Sequence, residues 1–158
     1  MQQPFDERIL QGIEQAAGLY HRLLLVVASA GAGKTSALQN VQERTTAPLI
    51  NVNLELSRQM LDLTEKQRRL KVPQLLEEIL TRFGGEVVLL DNIEILFDIS
   101  LKQDPLRLLQ KISRNRTVVA AWNGSVEDDS LIYATPDHPE YRRYPTKDLL
   151  LVTHDAVV

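Results

Sequence analysis

The segment from residue 23 to residue 35 constrains the fold of this chain more than any other. It reads LLLVVASAGAGKT, a continuous apolar run followed by a turn that contains two glycines. An unbroken apolar run is typical of a strand that is buried on both faces of a parallel sheet. With a helical pattern from Lys34 to about Arg44 and a second apolar run at 49–52, this segment predicts a strand–helix–strand unit.

The remaining pattern extends this unit into an α/β fold. We expect an amphipathic helix after Pro4, a helix that begins at Pro73, and a helix opened by Asp104 and Pro105. Further strands are predicted at 86–90, 117–121, 131–134 and 148–152, with an exposed loop at 136–148. Alternating strands and helices predict three layers, in which helices flank a mainly parallel sheet with core strand order 5-1-4-3-2.

The glycine-containing turn has the chemistry of a phosphate-binding loop. Its pattern is close to G-x-x-x-x-G-K-[ST], in which backbone N–H groups surround phosphate, a lysine reaches the β- and γ-phosphates, and a hydroxyl binds Mg²⁺. Gly33, Lys34 and Thr35 match this pattern, whereas Ala28 replaces the first glycine. A glycine-rich turn with an unrelated lysine is disfavoured, because a predicted buried strand precedes the loop and a helix follows it. The residues predicted to bind the phosphates are Ser29, Ala30, Gly31, Ala32, Gly33, Lys34, Thr35 and Ser36.

A second strand end supplies the partner that such a loop requires. Asp91 follows the predicted strand 86–90, so we predict that Asp91 and Thr35 bind Mg²⁺ and that Lys34 acts in catalysis. Many ATPases place a glutamate directly after this aspartate, but here the next residue is Asn92. Glu94 is the nearest carboxylate, and two interpretations stay open: a general base, or a first-turn glutamate favoured by the helix dipole.

Asn123 follows the fourth predicted strand and also has two interpretations. It could sense the γ-phosphate or orient water, or it could form an ordinary Asn-Gly turn with Gly124. Trp122 before it is interpreted as a core residue. The chain lacks the guanine-selective N-K-x-D signature, which favours ATP over GTP. The sequence therefore predicts ATP and Mg²⁺ as ligands and leaves open whether ATP is hydrolysed.

The composition limits the other classes of function. The 158 residues suit one domain, and the absence of cysteine excludes disulfides and thiolate metal sites. The net charge of −3 gives no general attraction for DNA. The N-terminus lacks the apolar run that a signal peptide or a membrane anchor would need. A soluble cytoplasmic protein without membrane contact is therefore expected. We expect a single nucleotide-binding domain at 1–158 without a separate lid domain, divided into a leading helix at 1–21, a core at 22–135, and an exposed loop and C-terminal strand at 136–158.

Two groups of basic residues are candidates for contacts with partners. A solvated surface competes with the functional interpretation in both cases. Arg142 or Arg143 could act as an arginine finger on a neighbouring subunit of a homo-oligomer. The residues that could contact DNA are Arg58, Lys66, Arg68, Arg69 and Lys71.

Three motifs together resemble the additional-strand branch of P-loop ATPases, which contains the AAA+ and STAND proteins. They are ASAGAGKT at 28–35, VVLLDNIE at 87–94 and VVAAWN at 118–123, in that order. More narrowly, the chain resembles the BrxF family, the small P-loop proteins of BREX-type phage-defence systems. That resemblance rests on its length, on NVNLELS at 51–57, on LDNIEILF at 90–97 and on the tail YATPDHPEYRRY at 133–144.

The resemblance implies a bacterial, cytoplasmic component of an anti-phage complex that works with other defence-system proteins. On this basis the predicted function is ATP binding with weak hydrolysis. The alternatives are a non-hydrolysing nucleotide-sensing adaptor, a small-molecule kinase and a DNA-binding regulator.

Overall fold

The computed structural model describes residues 4–154. The helices are α1 (Phe5–Ala16), α2 (Lys34–Thr45), α3 (Val52–Met60), α4 (Glu65–Phe83) and α5 (Pro105–Ile112). The strands are β1 (Leu23–Ala28), β2 (Leu49–Asn51), β3 (Val87–Asp91), β4 (Thr117–Glu127), β5 (Ser130–Tyr133), β6 (Arg142–Pro145) and β7 (Leu150–Thr153). Two 3₁₀ helices, Glu94–Phe97 and Ile99–Leu101, lie between β3 and α5.

The central part of the sheet is parallel and has the order β2-β3-β4-β1-β7. This confirms the 1-4-3-2 part of the predicted order. The place beside β1 is taken by β7, the last predicted strand, and not by the fifth predicted strand at 131–134, which is β5. The remaining two strands, β5 and β6, extend the far end of β4 by antiparallel pairing. The described chain is therefore an α/β fold with a mainly parallel sheet and a small antiparallel extension.

Alternate residues of β1 pack against two separate cores, which explains why the whole strand is apolar. Leu23, Leu25 and Val27 belong to the core on the α3, α4 and α5 side of the sheet. Leu24 and Val26 belong to the core under α1 and α2. Both faces of the strand are covered, as expected for the central strand of a three-layer fold.

The fourth strand is longer than its apolar run predicts. β4 continues through Asn123 and Gly124 to Glu127, so the interpretation of this pair as a turn is wrong. Gly124 is needed for close approach, because a Cβ there would lie 1.9 Å from the backbone oxygen of Ile132 on β5. Trp122 is fully buried, which confirms its assignment to the core. Its indole N–H donates a hydrogen bond to the same Ile132 oxygen (3.1 Å).

The predicted start of the fourth helix at Pro73 is also wrong. α4 begins at Glu65 after a capping box formed by Thr64 and Gln67, and Pro73 lies inside it. A proline lacks the N–H that would bond to the carbonyl four residues earlier, here that of Arg69. The side-chain amide of Gln103 donates to this oxygen instead (2.8 Å). A contact from outside the helix therefore compensates for the proline.

The first helix and the segment 136–148 also differ from the prediction, although less than α4 and β4 do. The segment 136–148 is not entirely loop, because it contains β6. α1 ends at Ala16, so the leading helix is shorter than residues 1–21 suggest. Residues 1–3 and 155–158, which belong to the predicted first and last segments, lie outside the described residues.

Candidate functional site

The loop between β1 and α2 has the backbone of an anion-binding turn. Gly31 and Gly33 have φ values of 81° and 94°, which glycine adopts without strain. Ala28 is the last residue of β1 and is extended, so the replacement of the first glycine costs nothing in conformation. No side chain caps the N-terminus of α2. The first amides of this helix therefore face the loop as free donors for an anion.

Lys34 lies beneath this loop. Only 6% of the residue is exposed, and its Nζ donates to the backbone oxygens of Ala28 (2.9 Å) and Ser29 (2.8 Å). Burial lowers the pKa of Lys34, while the negative charges of Glu94 and Asp91 act in the opposite direction. A buried ammonium group that is held by two neutral carbonyls is well placed to exchange them for anionic oxygens.

The structure brings Thr35 and Asp91 together across 56 residues of sequence. The Thr35 hydroxyl donates to Asp91 Oδ2 (2.7 Å), and Asp91 Oδ1 accepts from the amide of Asn92 (2.9 Å). The parallel pairing of β3 with its neighbours places Asp91 at the carboxyl edge of the sheet, beside the loop after β1. This edge is where ligands bind in open α/β sheets.

These two side chains fit a magnesium ion that a nucleotide shares. A hydroxyl and a carboxylate are the oxygen ligands that Mg²⁺ prefers, and Mg²⁺ usually keeps several waters and phosphate oxygens as further ligands. Within residues 4–154 no group of three or more His, Cys, Asp or Glu side chains could hold a metal ion.

Glu94 approaches the same site because the chain turns sharply after β3. Asn92 has a left-handed backbone with φ 54°, and its carbonyl accepts from the amide of Asn53 (3.0 Å). Glu94 then begins a 3₁₀ helix of four residues. Both interpretations of Glu94 stay open, because it follows a sharp turn and also lies in the first turn of a helix. Burial raises the pKa of Glu94, and the charge of Asp91 adds to this effect, whereas backbone hydrogen bonds and Lys34 oppose it.

Asn123 lies on β4, which separates β1 from β3. It is paired in register with Ala28, the last residue before the loop. The residue is half-buried, and its side chain makes no hydrogen bond to the described part of the chain. This position suits a side chain that senses a ligand held by the loop.

The sequence did not predict that β5 packs against the 3₁₀ helix that carries Glu94. The Tyr133 ring of β5 stacks on Phe97 at the end of the same 3₁₀ helix, with 3.5 Å between ring centroids. Burial raises the pKa of Tyr133 beyond its usual range, and the charge of Glu94 contributes. The antiparallel extension thus packs against the element that carries Glu94. Leu131, Ile132 and Tyr133 are all buried, so no alternation along β5 indicates this contact in the sequence.

Two asparagines at and after the end of β2 have structural roles beside the site. Asn51 is paired in register with Asp91, and its side chain accepts from the amide of Leu54 as the N-cap of α3. The side chain of Asn51 is thereby engaged in capping the helix. Asn53 lies inside the helix, where its amide fixes the turn at Asn92.

The two candidate arginine fingers have different environments on β6. Arg142 donates to the backbone oxygen of Gln103 (2.8 Å) and is half-buried. Arg143 is exposed, on the opposite side of the strand. Neither lies in an open loop as predicted. In the described part of the chain, the side chain of Arg142 forms a hydrogen bond and that of Arg143 forms none.

The proposed DNA-binding residues do not form one surface. Arg58 on α3 pairs with Glu55 (3.7 Å), and Arg69 on α4 pairs with Glu65 (3.4 Å). The guanidinium of Arg68 donates to the oxygen of Leu63 (3.1 Å). The four basic residues on α4 fall on different sides of the helix at 3.6 residues per turn. They are Lys66, Arg68, Arg69 and Lys71.

Comparisons with known proteins assign no family to this chain. The sequence matches no protein-family model and no curated protein. Among residues 4–154, no helix has both the length and the apolar character that crossing a membrane requires. The geometry of the site itself therefore carries the functional argument.

Proposed function

We propose that this protein binds ATP together with Mg²⁺ at the loop 28–35 and hydrolyses it slowly. The observation that carries the proposal is the hydrogen bond between Thr35 and Asp91 beside the buried Lys34. A P-loop NTPase needs a hydroxyl, a carboxylate and a lysine at one point, and these three residue types meet here from two separate strand ends.

Each residue has a distinct role in the proposed reaction. Lys34 exchanges the carbonyls of Ala28 and Ser29 for β- and γ-phosphate oxygens, and Thr35 and Asp91 bind Mg²⁺. The ion, when bound, neutralises charge on the phosphates. Glu94 accepts a proton from the water that attacks the γ-phosphorus, while the bond to the leaving oxygen of ADP breaks. A raised pKa favours this step because it makes the carboxylate a stronger base.

Asn92 supports slow turnover, and it also supports a second candidate function, a nucleotide-sensing adaptor. A carboxamide cannot accept the proton of water, and it occupies the position at which many ATPases have glutamate. Both backbone polar groups of Asn92 are engaged, to Asp91 and to Asn53. If Glu94 does not replace that glutamate, the protein is a nucleotide-sensing adaptor that binds ATP without turnover.

The biological setting of this activity rests on sequence resemblance. NVNLELS, LDNIEILF and the tail YATPDHPEYRRY support a place among the BrxF-like proteins of BREX-type phage defence. We accordingly propose a cytoplasmic component of a bacterial defence complex, with other proteins of that system as partners.

ATP binding and phosphate release test the proposal directly. We expect wild-type protein to bind a fluorescent ATP analogue with Mg²⁺, and Lys34→Ala to weaken binding by more than about tenfold. Glu94→Gln should keep binding and lose phosphate release, whereas Lys147→Ala, an exposed control, should retain both. A thermal unfolding curve of each variant checks that it folds.

The outcomes separate the two candidates. Binding that is equal in wild type and Lys34→Ala would contradict the nucleotide site. Lys34-dependent binding without any phosphate release would favour the adaptor.

A further inference from the structure

A groove runs between α4 and α5, and its walls include no residue of the loop 28–35. It consists of two open clefts of about 450 and 800 Å³. Pro73 of α4 and Leu108 of α5 line both clefts, as do Lys111 and Arg114 on the α5 side. The two clefts are therefore parts of one continuous surface.

The α5 wall of this groove carries unpaired positive charge. Arg107 and Lys111 lie one helical turn apart on α5, and Arg114 follows two residues after the helix ends. All three side chains are exposed, and none forms an ion pair within residues 4–154. By contrast, five other arginines of the described chain pair with glutamates: Arg44, Arg58, Arg69, Arg82 and Arg116.

An exposed aromatic ring stands at the end of this basic row. Tyr20 is 68% exposed, and the guanidinium of Arg114 lies 4.7 Å from its ring centroid. His21 meets the same ring edge-on, and its Nδ1 is 3.1 Å from the backbone oxygen of Gln110. An aromatic ring beside a planar guanidinium offers a surface on which a nucleobase can stack.

In the described part of the chain, no carboxylate of the groove forms an ion pair with Arg107, Lys111 or Arg114. Asp104 accepts from the Tyr144 hydroxyl (2.9 Å) and from the amide of Arg107. Glu77 is engaged with Arg116 across the other cleft (2.9 Å). Glu78 accepts from the side chain of Gln74 on the α4 wall. The contact with an anionic partner is therefore confined to the α5 wall and the end marked by Tyr20.

We propose that this wall binds single-stranded nucleic acid. The backbone phosphates follow Arg107, Lys111 and Arg114, and a base stacks on Tyr20. Residues four apart on a helix are about 6 Å apart along its axis, comparable to the step between phosphates of an extended strand. An acidic peptide would match the charge but would make no use of the exposed ring.

Fluorescence anisotropy with a labelled oligo-dT of about 15 nucleotides tests this proposal. We expect binding at low salt, with an affinity that falls as salt rises. Replacing Arg107 and Lys111 by glutamine should reduce the slope of log affinity against log salt by about 1.4. Tyr20→Ala should weaken binding at least about fivefold, whereas Tyr20→Phe should not.

Two matched controls locate the site. Arg58→Gln with Lys66→Gln removes the same charge from the other basic segment and should leave binding unchanged. Lys34→Ala should also leave it unchanged, because the phosphate loop is elsewhere. Loss of binding in either control would overturn the proposal.

Three further results would also contradict the proposal. One is the absence of wild-type binding at low salt. The second is a Tyr20→Ala variant that binds as tightly as wild type. The third is polyglutamate competing as well as unlabelled oligo-dT, which would assign the groove to acidic segments of proteins.

Discussion

At the scale of single residues, Glu94 and Lys34 are charged groups that the fold partly withdraws from water. Burial raises the pKa of Glu94 and lowers that of Lys34, so the folded protein disfavours the charged form of each. Such opposed shifts at one strand edge are typical of functional sites. The raised pKa of Glu94 also leads to a prediction about the free energy of unfolding, which can be measured without an activity assay.

We predict that Glu94→Gln stabilises the protein near neutral pH. Because the folded-state pKa of Glu94 is raised, its ionisation costs folding free energy at every pH above that value. This cost shrinks as the pH falls through the raised pKa and disappears below the pKa of the unfolded chain. The gain should be less than about 1 kcal/mol at pH about 8, because Glu94 is only half-buried and water screens it.

Urea unfolding at about pH 8 and about pH 3.5 measures this effect. The difference between Glu94→Gln and wild type should be present at the higher pH and absent at the lower. Glu43→Gln on the exposed face of α2 is the matched control and should show no such difference. A Glu94→Gln variant that is less stable than wild type at pH about 8 would contradict the assignment.

At the scale of elements, α4 depends on a side chain that is distant in sequence. Pro73 leaves the carbonyl of Arg69 without its helical partner, and Gln103 supplies a donor from the segment before α5. The same side chain also donates to the oxygen of Leu101 (2.9 Å). Gln103 therefore connects the middle of α4 to the chain that leads into α5.

A double-mutant cycle tests this connection. We expect Gln103→Ala to cost about 1–2 kcal/mol, because it leaves a partly buried carbonyl unpaired. Pro73→Ala restores the amide that α4 lacks, so Gln103→Ala should cost about half as much in that background. Urea unfolding of wild type, the two single variants and the double variant gives the coupling free energy between Gln103 and Pro73. In a control cycle, Gln74→Ala on the exposed side of α4 takes the place of Gln103→Ala. Strict additivity would show that Gln103 does not compensate for Pro73.

The elements that could be predicted are those whose signals are local. The apolar runs of β1 and β3 and the glycine turn before Lys34 depend only on neighbouring residues, so the parallel sheet and the loop between β1 and α2 follow from the sequence. The contact between Asp91 and Thr35 also follows, because parallel strands end at one edge of a sheet.

The elements that could not be predicted are set by distant contacts. Pro73 resembles a helix start because its partner Gln103 lies 30 positions later in the sequence. Asn123-Gly124 resembles a turn, yet the glycine is required by the backbone of Ile132 on β5. The contact of Tyr133 with Phe97 depends on the same extension. None of these three features has a local signal in the chain.

At the scale of the whole molecule, β1 separates the two surfaces that we propose bind ligands. Tyr20 and His21 precede the strand at one end, and the loop 28–35 follows it at the other. Six residues of strand span roughly 20 Å, so the two surfaces can be occupied at the same time. β4 lies beside β1 and continues into the antiparallel extension that carries Arg143.

That extension is the candidate route to a neighbouring subunit. β6 pairs only with β5 among the described strands, so it forms an edge. Arg142 is engaged with Gln103, whereas Arg143 is exposed on this edge strand. If either arginine completes the nucleotide site of a second copy of this chain, the geometry favours Arg143.

We predict that Arg143→Ala lowers ATP hydrolysis by at least about tenfold without changing ATP affinity, because a finger stabilises the transition state rather than bound ATP. Mixing Arg143→Ala with Lys34→Ala protein should restore part of the activity, since a Lys34→Ala subunit still supplies Arg143 to a neighbour with an intact loop. Mixing with a variant that carries both substitutions should restore nothing. Hydrolysis at the wild-type rate in Arg143→Ala, or equal restoration by both partners, would make Arg143 a solvated surface residue.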